Sequence, residues 1–284
     1  MRRRRSKDAA QNHNRRGTII LVCVFAIGLS LLLYPSVSNW WNEKVSTRAI
    51  ATYDSLVADI SEDDYSAYFE AANEYNTAIA ALGSATAISL PDLIEGYEET
   101  LDISGTGIMG YITIDKINVQ LPIYHGTSTG VLQIAAGHLE GSSLPVGGES
   151  THCVISAHRG LPSAKLFTDL DQLEVGDLFT ITVLDQVLTY EVDQITIVEP
   201  DQIEALYIEE GKDYCTLMTC TPYGINSHRL LVRGVRTESA EKALIYVTSE
   251  AYQIDTIIVA SAAAVPMLLT LLIVLLVSTR RKRK

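Results

Sequence analysis

Positive charge is nearly missing from the body of this 284-residue chain: residues 17–279 hold ten of the 22 Lys and Arg but 33 of the 34 Asp and Glu. So acidic a body cannot present the clustered cations that bind phosphate backbones, which excludes nucleic acid as a partner. Cysteine is scarce, four in all, and no two stand at the Cys-x2-Cys spacing of structural zinc sites. Internal repeats are missing, and so are low-complexity tracts outside the basic ends, which leaves out solenoids and flexible linkers. Disorder is excluded too, because 47% of the residues are hydrophobic.

The cations that the body lacks stand at the two ends. Seven precede residue 17, and residues 280–284 are all basic. Beside each group lies an uncharged apolar run, residues 18–34 (17 residues) and 257–277 (21 residues). Both approach the ~20 residues that cross a bilayer as a helix. Cations next to membrane segments stay cytoplasmic, so tails 1–17 and 278–284 are expected inside and residues 35–256 outside, a two-pass cell-membrane topology. Trp40 and Trp41 suit the interfacial aromatic belt. A cleaved signal peptide is the alternative for the first run, whose length exceeds the usual ~7–15 residues of a signal core and so favours a retained anchor. A wall-sorting tail is the alternative for the second, but residues 240–256 lack the Leu-Pro-x-Thr-Gly motif such a tail needs.

Between the anchors the periodicity changes once. Tyr53, Leu56, Val57 and Ile60 recur at i, i+3, i+4 and i+7, the stripe of an amphipathic helix. Ser61, with Asp64 three residues on, opens a second helix whose stripe runs through Tyr65, Tyr68, Phe69, Ala72, Ile79 and Leu82 to a stop at Gly83. These two helices form a stem, residues 35–107, that must pack on the domain that follows. Residues 84–107 show no clear period and read as a long connection of the functional kind. From residue 109 the pattern is β: runs 111–114, 119–123, 153–157, 178–184, 187–197, 216–220 and 230–235 are divided by Gly and Pro. Seven or eight short strands predict a mainly β domain, a barrel or sandwich over residues 108–240, with 241–256 as a connector to the second anchor.

Strand ends that lead into loops are where a rigid scaffold presents reactive groups. Cys220 ends the strand TLMTC and is followed at once by the turn residues Thr221-Pro222-Tyr223-Gly224. A thiol needs a neighbouring base or cation to act as a nucleophile at neutral pH. His158 also ends an apolar strand, and Arg229 opens the next strand after the Cys220 turn, where its planar fork could meet a developing oxyanion. The bland alternatives are a buried inert thiol, a structural histidine and a surface arginine. A zinc site built on Cys215 and Cys220 is a third reading, weakened by their spacing.

TLMTC matches the TLxTC signature of sortases. Its flank TCTPYGINSHRLLVRG and the upstream stretches GYITIDKINVQLPIYHGTS, AAGHLEGSSLPVGG and SAHRGLPSAKLFTDL resemble class C, pilus-building sortases of Gram-positive bacteria, continuously over residues 108–236. The resemblance implies a closed sortase-type β-barrel of about eight strands, preceded by two amphipathic helices and flanked by two membrane helices. It also implies a cysteine transpeptidase with Cys220 as nucleophile, His158 as general acid/base and Arg229 as oxyanion-stabilising cation. The implied substrates are pilins or surface proteins with a Leu-Pro-x-Thr-Gly-like signal, cut between Thr and Gly and joined to a pilin lysine, with no cofactor and no metal. Attachment of surface proteins to the cell wall is the alternative within the family; a non-catalytic two-anchor scaffold is the alternative outside it. Many class C members carry a lid with an Asp-Pro-aromatic tip. Here Leu90-Pro91-Asp92-Leu93 has Pro and Asp reversed and no aromatic, so no anchoring residue carries over; the expectations are a lid in which Asp92 reaches Arg229 and Leu93 covers the thiol, or a solvated loop.

The remaining outside cysteines stand at equal offsets, Cys153 five residues before His158 and Cys215 five before Cys220. If His158 and Cys220 end neighbouring parallel strands, as the resemblance implies, Cys153 and Cys215 share a height and point away from the catalytic face. Two buried, reduced thiols are expected there rather than a disulfide.

Overall fold

The structure, a computed structural model, describes residues 2–237, 264–270 and 272–273. The chain divides into two compact units, Met1–Trp40 with Ala251–Lys284, and Trp41–Glu250. The first apolar run lies within one long helix, α1 (Arg2–Ala58), which continues through Pro35. Anchor and first stem helix, read as separate elements in the sequence, are therefore continuous. Pro35 has no N–H to donate, so one i→i−4 bond is missing inside α1. Among the described residues one helix is long and apolar enough to cross a membrane, Ile19–Ala58, with a mean hydropathy of 2.4 in its most apolar window. Of the second run, residues 264–270 and 272–273 are helical. The rest of that run, the 241–256 connector and the basic end 278–284 lie outside the described residues.

The second unit is built on eight strands: β1 (Ile108–Ile114), β2 (Val119–Tyr124), β3 (Ala136–His138), β4 (Thr151–Ser156), β5 (Leu178–Val183), β6 (Gln186–Val198), β7 (Asp213–Thr221) and β8 (His228–Arg236). They close into a barrel in the order β1-β2-β3-β4-β7-β8-β6-β5. Closure leaves no sheet edge to pair with another chain. The pairs β2·β3 and β4·β7 are parallel, and all others antiparallel. Seven of the strands coincide with the β runs of the sequence. The eighth, β3, is three residues of Ala, Gly and His with no alternation to show, yet it bridges β2 to β4 and completes the barrel.

Side-chain alternation sorts the three strands that matter most. Cys153 and Ile155 on β4, Cys215 and Leu217 on β7, and Leu230 and Val232 on β8 point into one buried core. Fully burying a side chain such as Leu217 is worth roughly 1.5–3 kcal/mol. The stem packs on this barrel with its predicted stripe: Tyr53, Val57, Ala72 and Ile79 are buried in the same core. Polar groups fix the docking. Tyr53 OH donates to Met109 O at 3.1 Å and accepts from Leu184 N at 2.8 Å. On α2 (Glu62–Leu82), Asn76 exchanges two bonds with the Leu144 backbone, 2.7 and 3.3 Å.

The 84–107 connection is not wholly irregular. It opens with α3 (Ser84–Ser89) and a 3-10 turn, Pro91–Leu93. The short helix sits close on the β3–β4 loop at Gly141, where φ is +83° and a Cβ would come within 2.2 Å of Ala87 O. Only glycine fits that approach.

Candidate active site

Two ladders bring the sequence candidates together. In the antiparallel β7·β8 pair Cys220 lies directly opposite Arg229. Directly opposed residues share a face of the sheet with Cβ atoms about 4.5–5.5 Å apart. In the parallel β4·β7 pair the register runs from Thr151↔Asp213 to Ser156↔Met218, and the next backbone bond, Ala157 N to Met218 O at 3.2 Å, continues it. Two residues past Ser156↔Met218, the same register sets His158 beside Cys220. His158, Cys220 and Arg229 thus stand at one height on three adjacent chain segments. All three are half-buried.

Alternation places them on the outer face, with Met218 and Leu231 one step below and Val154 two steps below. Those residues belong to a small apolar cluster with Leu206, Leu139, Val198, Ala205 and Ile88. The face that carries His158, Cys220 and Arg229 therefore has an apolar floor, partly supplied by α3 through Ile88. Beyond it the β7–β8 loop exposes Tyr223 (60%) and Ile225 (72%), apolar surface beside the thiol that a peptide could cover.

Arg229 makes no ion pair among the described residues. Its recorded bonds run from Nη1 to the Asn226 and His228 carbonyls, 3.4 and 3.2 Å. A guanidinium with a fixed fork and no carboxylate partner can serve an incoming oxyanion. The expected contact of Asp92 with Arg229 is not formed. Asp92 instead approaches Glu140: burial first, then the Asp92 and Glu98 charges, raise the Glu140 carboxyl above its ordinary range. Leu93 and Leu90 are 58% and 56% exposed. The 3-10 turn closes on itself through Ile94 N to Pro91 O at 3.1 Å.

Cys153 and Cys215 are register partners, both buried, both free thiols, and both on the core side of their strands. The equal offsets predicted this placement. Burial first, and then the neighbouring Cys153 thiol, push Cys215 well above the ordinary thiol range, so it is a neutral packing group. Cys23 lies in α1. Among the described residues no group of three or more His, Cys, Asp or Glu side chains is placed to hold a metal ion.

The sequence reading missed the ties between the loops. Thr219 Oγ1 donates to Ala157 O at 2.8 Å, and Arg159 Nη1 to Thr221 Oγ1 at 3.3 Å. The only sequence hint was that Thr219 and Thr221 flank the cysteine.

Comparison with known proteins bears on the family and the fold. Residues 112–237 match the family model of the sortase domain. Sortase D of Bacillus subtilis is 31% identical over 130 residues, 45% of this chain and 63% of that enzyme. The crystal structure of sortase C1 from Streptococcus agalactiae is similar at 51% identity and a TM-score of 0.62, covering 68% of this chain and 99% of that one. Sortase C of Streptococcus pneumoniae follows at 45% identity and a TM-score of 0.59, covering 67% and 96%. The closed eight-strand barrel thus has sortase C structures among its neighbours, and the chain belongs to the sortase family of cysteine transpeptidases.

Proposed function

We propose that this chain is a membrane-anchored pilus sortase that cuts a Leu-Pro-x-Thr-Gly-like signal between Thr and Gly and joins the Thr carbonyl to a lysine amine of a pilin. The observation that carries the reading is the single height shared by His158, Cys220 and Arg229. The Cys220 thiolate attacks the Thr carbonyl carbon. The carbonyl oxygen becomes an oxyanion facing Arg229, where a preformed cation acts on charge that exists only in the transition state. Collapse breaks the Thr–Gly bond, and His158 gives its proton to the departing glycine amine. The thioester keeps the acyl group activated. A lysine amine then attacks it, His158 takes the surplus proton, and the thiolate leaves, so that one amide replaces another.

The pilin acceptor is supported by similarity to the S. pneumoniae enzyme, whose structure bears on pilin substrate specificity. The anchoring is supported by α1 and by the basic ends beside both apolar runs, with residues 35–256 outside and both tails inside. Residues Leu90, Pro91, Asp92 and Leu93 form the lid of this reading. They follow directly on Ile88, which rests on the catalytic face. Asp92 and Leu93 are open to move from there.

The test is to incubate the full chain with a pilin-like protein that carries the signal. A ladder of SDS-resistant polymers is expected. Products formed only with a peptidoglycan stem-peptide amine would instead make the enzyme a wall-anchoring one, and neither product would refute the transpeptidase reading.

A further inference from the structure

His158 and Cys220 are each flanked by residues tied to the flanks of the other. Below them, Ala157 O accepts from Thr219 Oγ1 at 2.8 Å. Above them, Arg159 Nη1 donates to Thr221 Oγ1 at 3.3 Å. Thr219 and Thr221 alternate with Cys220 along β7 and are buried on the opposite side of the strand. The two ties therefore pass behind the catalytic face and leave it clear.

The upper tie is the more elaborate. Arg159 Nη2 is hydrogen-bonded and ion-paired to Asp171, in the β4–β5 connection. The arginine side chain is only 9% exposed, against 47% for Asp171. Its Nε is buried with no partner among the described residues. A buried guanidinium with an orphaned donor is a cost that an apolar residue would avoid, so mere filling of space does not account for it. What the planar fork supplies is a bridge between two acceptors on different loops. The next residue tightens the same seam. Gly160 has φ +77°, its N donates to Thr168 Oγ1 at 3.1 Å, and a Cβ there would come within 2.8 Å of the Tyr223 ring.

We propose that Arg159 is a positioning residue: held by Asp171 and bonded to Thr221, it fixes the backbone of His158 at the height of Cys220. It touches neither substrate nor reacting atom. β4 ends at Ser156, so His158 lies beyond the last regular ladder pair and needs such a tie. Proton transfer from His158 to the leaving amine requires hydrogen-bond reach, and a displacement of about 1 Å can cost on the order of a hundredfold in rate. The proposal rests on the transpeptidase reading above.

The experiment measures formation of the acyl-enzyme by the full chain with a Leu-Pro-x-Thr-Gly peptide, separating kcat from KM, alongside thermal unfolding. Arg159→Ala is expected to lose about a hundredfold in acylation, with KM held within about threefold. Arg159→Lys recovers little of it, because an ammonium cannot bridge both acceptors. Asp171→Ala and Thr221→Val, each removing one end of the bridge, lose roughly tenfold by the same logic. A purely structural arginine would lower the unfolding temperature and leave the rate of the folded enzyme unchanged. That result, or a loss confined to KM, overturns the proposal. If Arg159→Ala does not fold, Thr221→Val decides alone, since it keeps the guanidinium and removes only its acceptor. A wild-type chain that forms no acyl-enzyme would sink the transpeptidase reading, whereas an active wild type with equally active variants sinks only the role of Arg159.

Discussion

The strands that carry the proposed catalytic residues and the connection that precedes them share one apolar cluster, yet they are held by different means. On β7 and β8 the residues at the site are held by ladders, Arg229 on both sides and Cys220 against Arg229, with a buried core behind; His158 follows directly on the end of β4 at Ser156. The connection at residues 84–93 rests on a few contacts: Ile88 on the apolar floor, Ala87 against Gly141, and Ser84 Oγ accepting from Ile208 N at 2.9 Å. The barrel therefore sets distances that chemistry needs to a fraction of an ångström. The connection can shift at small cost, which suits a cover and not a catalyst.

If that contrast is right, damage to the two regions should differ in kind. The largest effect is expected at the shared height. His158→Ala and Arg229→Ala should each lower acylation by orders of magnitude with the unfolding midpoint unchanged, because groups that act as a unit fail together. Equal losses from both, measured as kcat/KM on a signal peptide, would support one apparatus. Loss at only one would split it.

Next comes the barrel wall behind the thiol. Leu217, fully buried between Cys215 and Thr219, should cost about 2–5 kcal/mol when changed to Ala, read from urea unfolding. A matching Ile88→Ala, at a half-buried position on the connection, should cost less than Leu217→Ala in the same assay. Similar costs would erase the contrast between the regions.

A smaller effect depends on pH. His152, on the outer face of β4, is held below its ordinary value of 6.5, first by burial and then, against a raising bond to Tyr207 O, by the Arg233 charge; Glu209 and Asp193 oppose this. Nδ1 donates to Tyr207 O at 2.9 Å and Nε2 accepts from Thr216 Oγ1 at 2.7 Å, the pattern of a neutral ring. The unfolded chain binds its proton at a higher pH than the folded one. Stability is therefore full above the unfolded value of 6.5 and falls as pH drops toward the lower folded value. Urea midpoints between pH 7.5 and pH 5 should show a slope that His152→Gln reduces. An identical slope in the variant would contradict the assignment.

The smallest effect is on access. Deleting residues 89–93 should speed alkylation of Cys220 by no more than a few fold, since Leu90 and Leu93 already stand exposed. No change at all would reduce the segment to a connector.

The same contrast explains what could be read from sequence. Period-2 runs named seven strands, and equal offsets from His158 and Cys220 placed Cys153 opposite Cys215, because ladder register is arithmetic along the chain. The stem stripe was legible for the same reason: Tyr53, Val57, Ala72 and Ile79 recur with the helix and are buried. β3 was not legible, because Ala136-Gly137-His138 is too short to alternate. The continuity of α1 was hidden by Pro35, which normally ends a helix. The contact of Asp92 with Arg229 failed because it depends on how a loop folds back, and no period encodes that. The bridge from Arg159 to Thr221 and Asp171 joins three separate segments through side chains alone. His158, Cys220 and Arg229 could be proposed as a triad only because they sit at strand ends and resemble a known signature.

The central claim is that Cys220 attacks the signal at the height set by β4, β7 and β8. Its most direct test is to mix the full chain with a Leu-Pro-x-Thr-Gly peptide, quench in acid, digest, and map the acyl adduct by mass. The account predicts a hydroxylamine-sensitive thioester on Cys220, none on Cys153 or Cys215, and no adduct in Cys220→Ala. A thioester on another cysteine, or one that persists in Cys220→Ala, would contradict it.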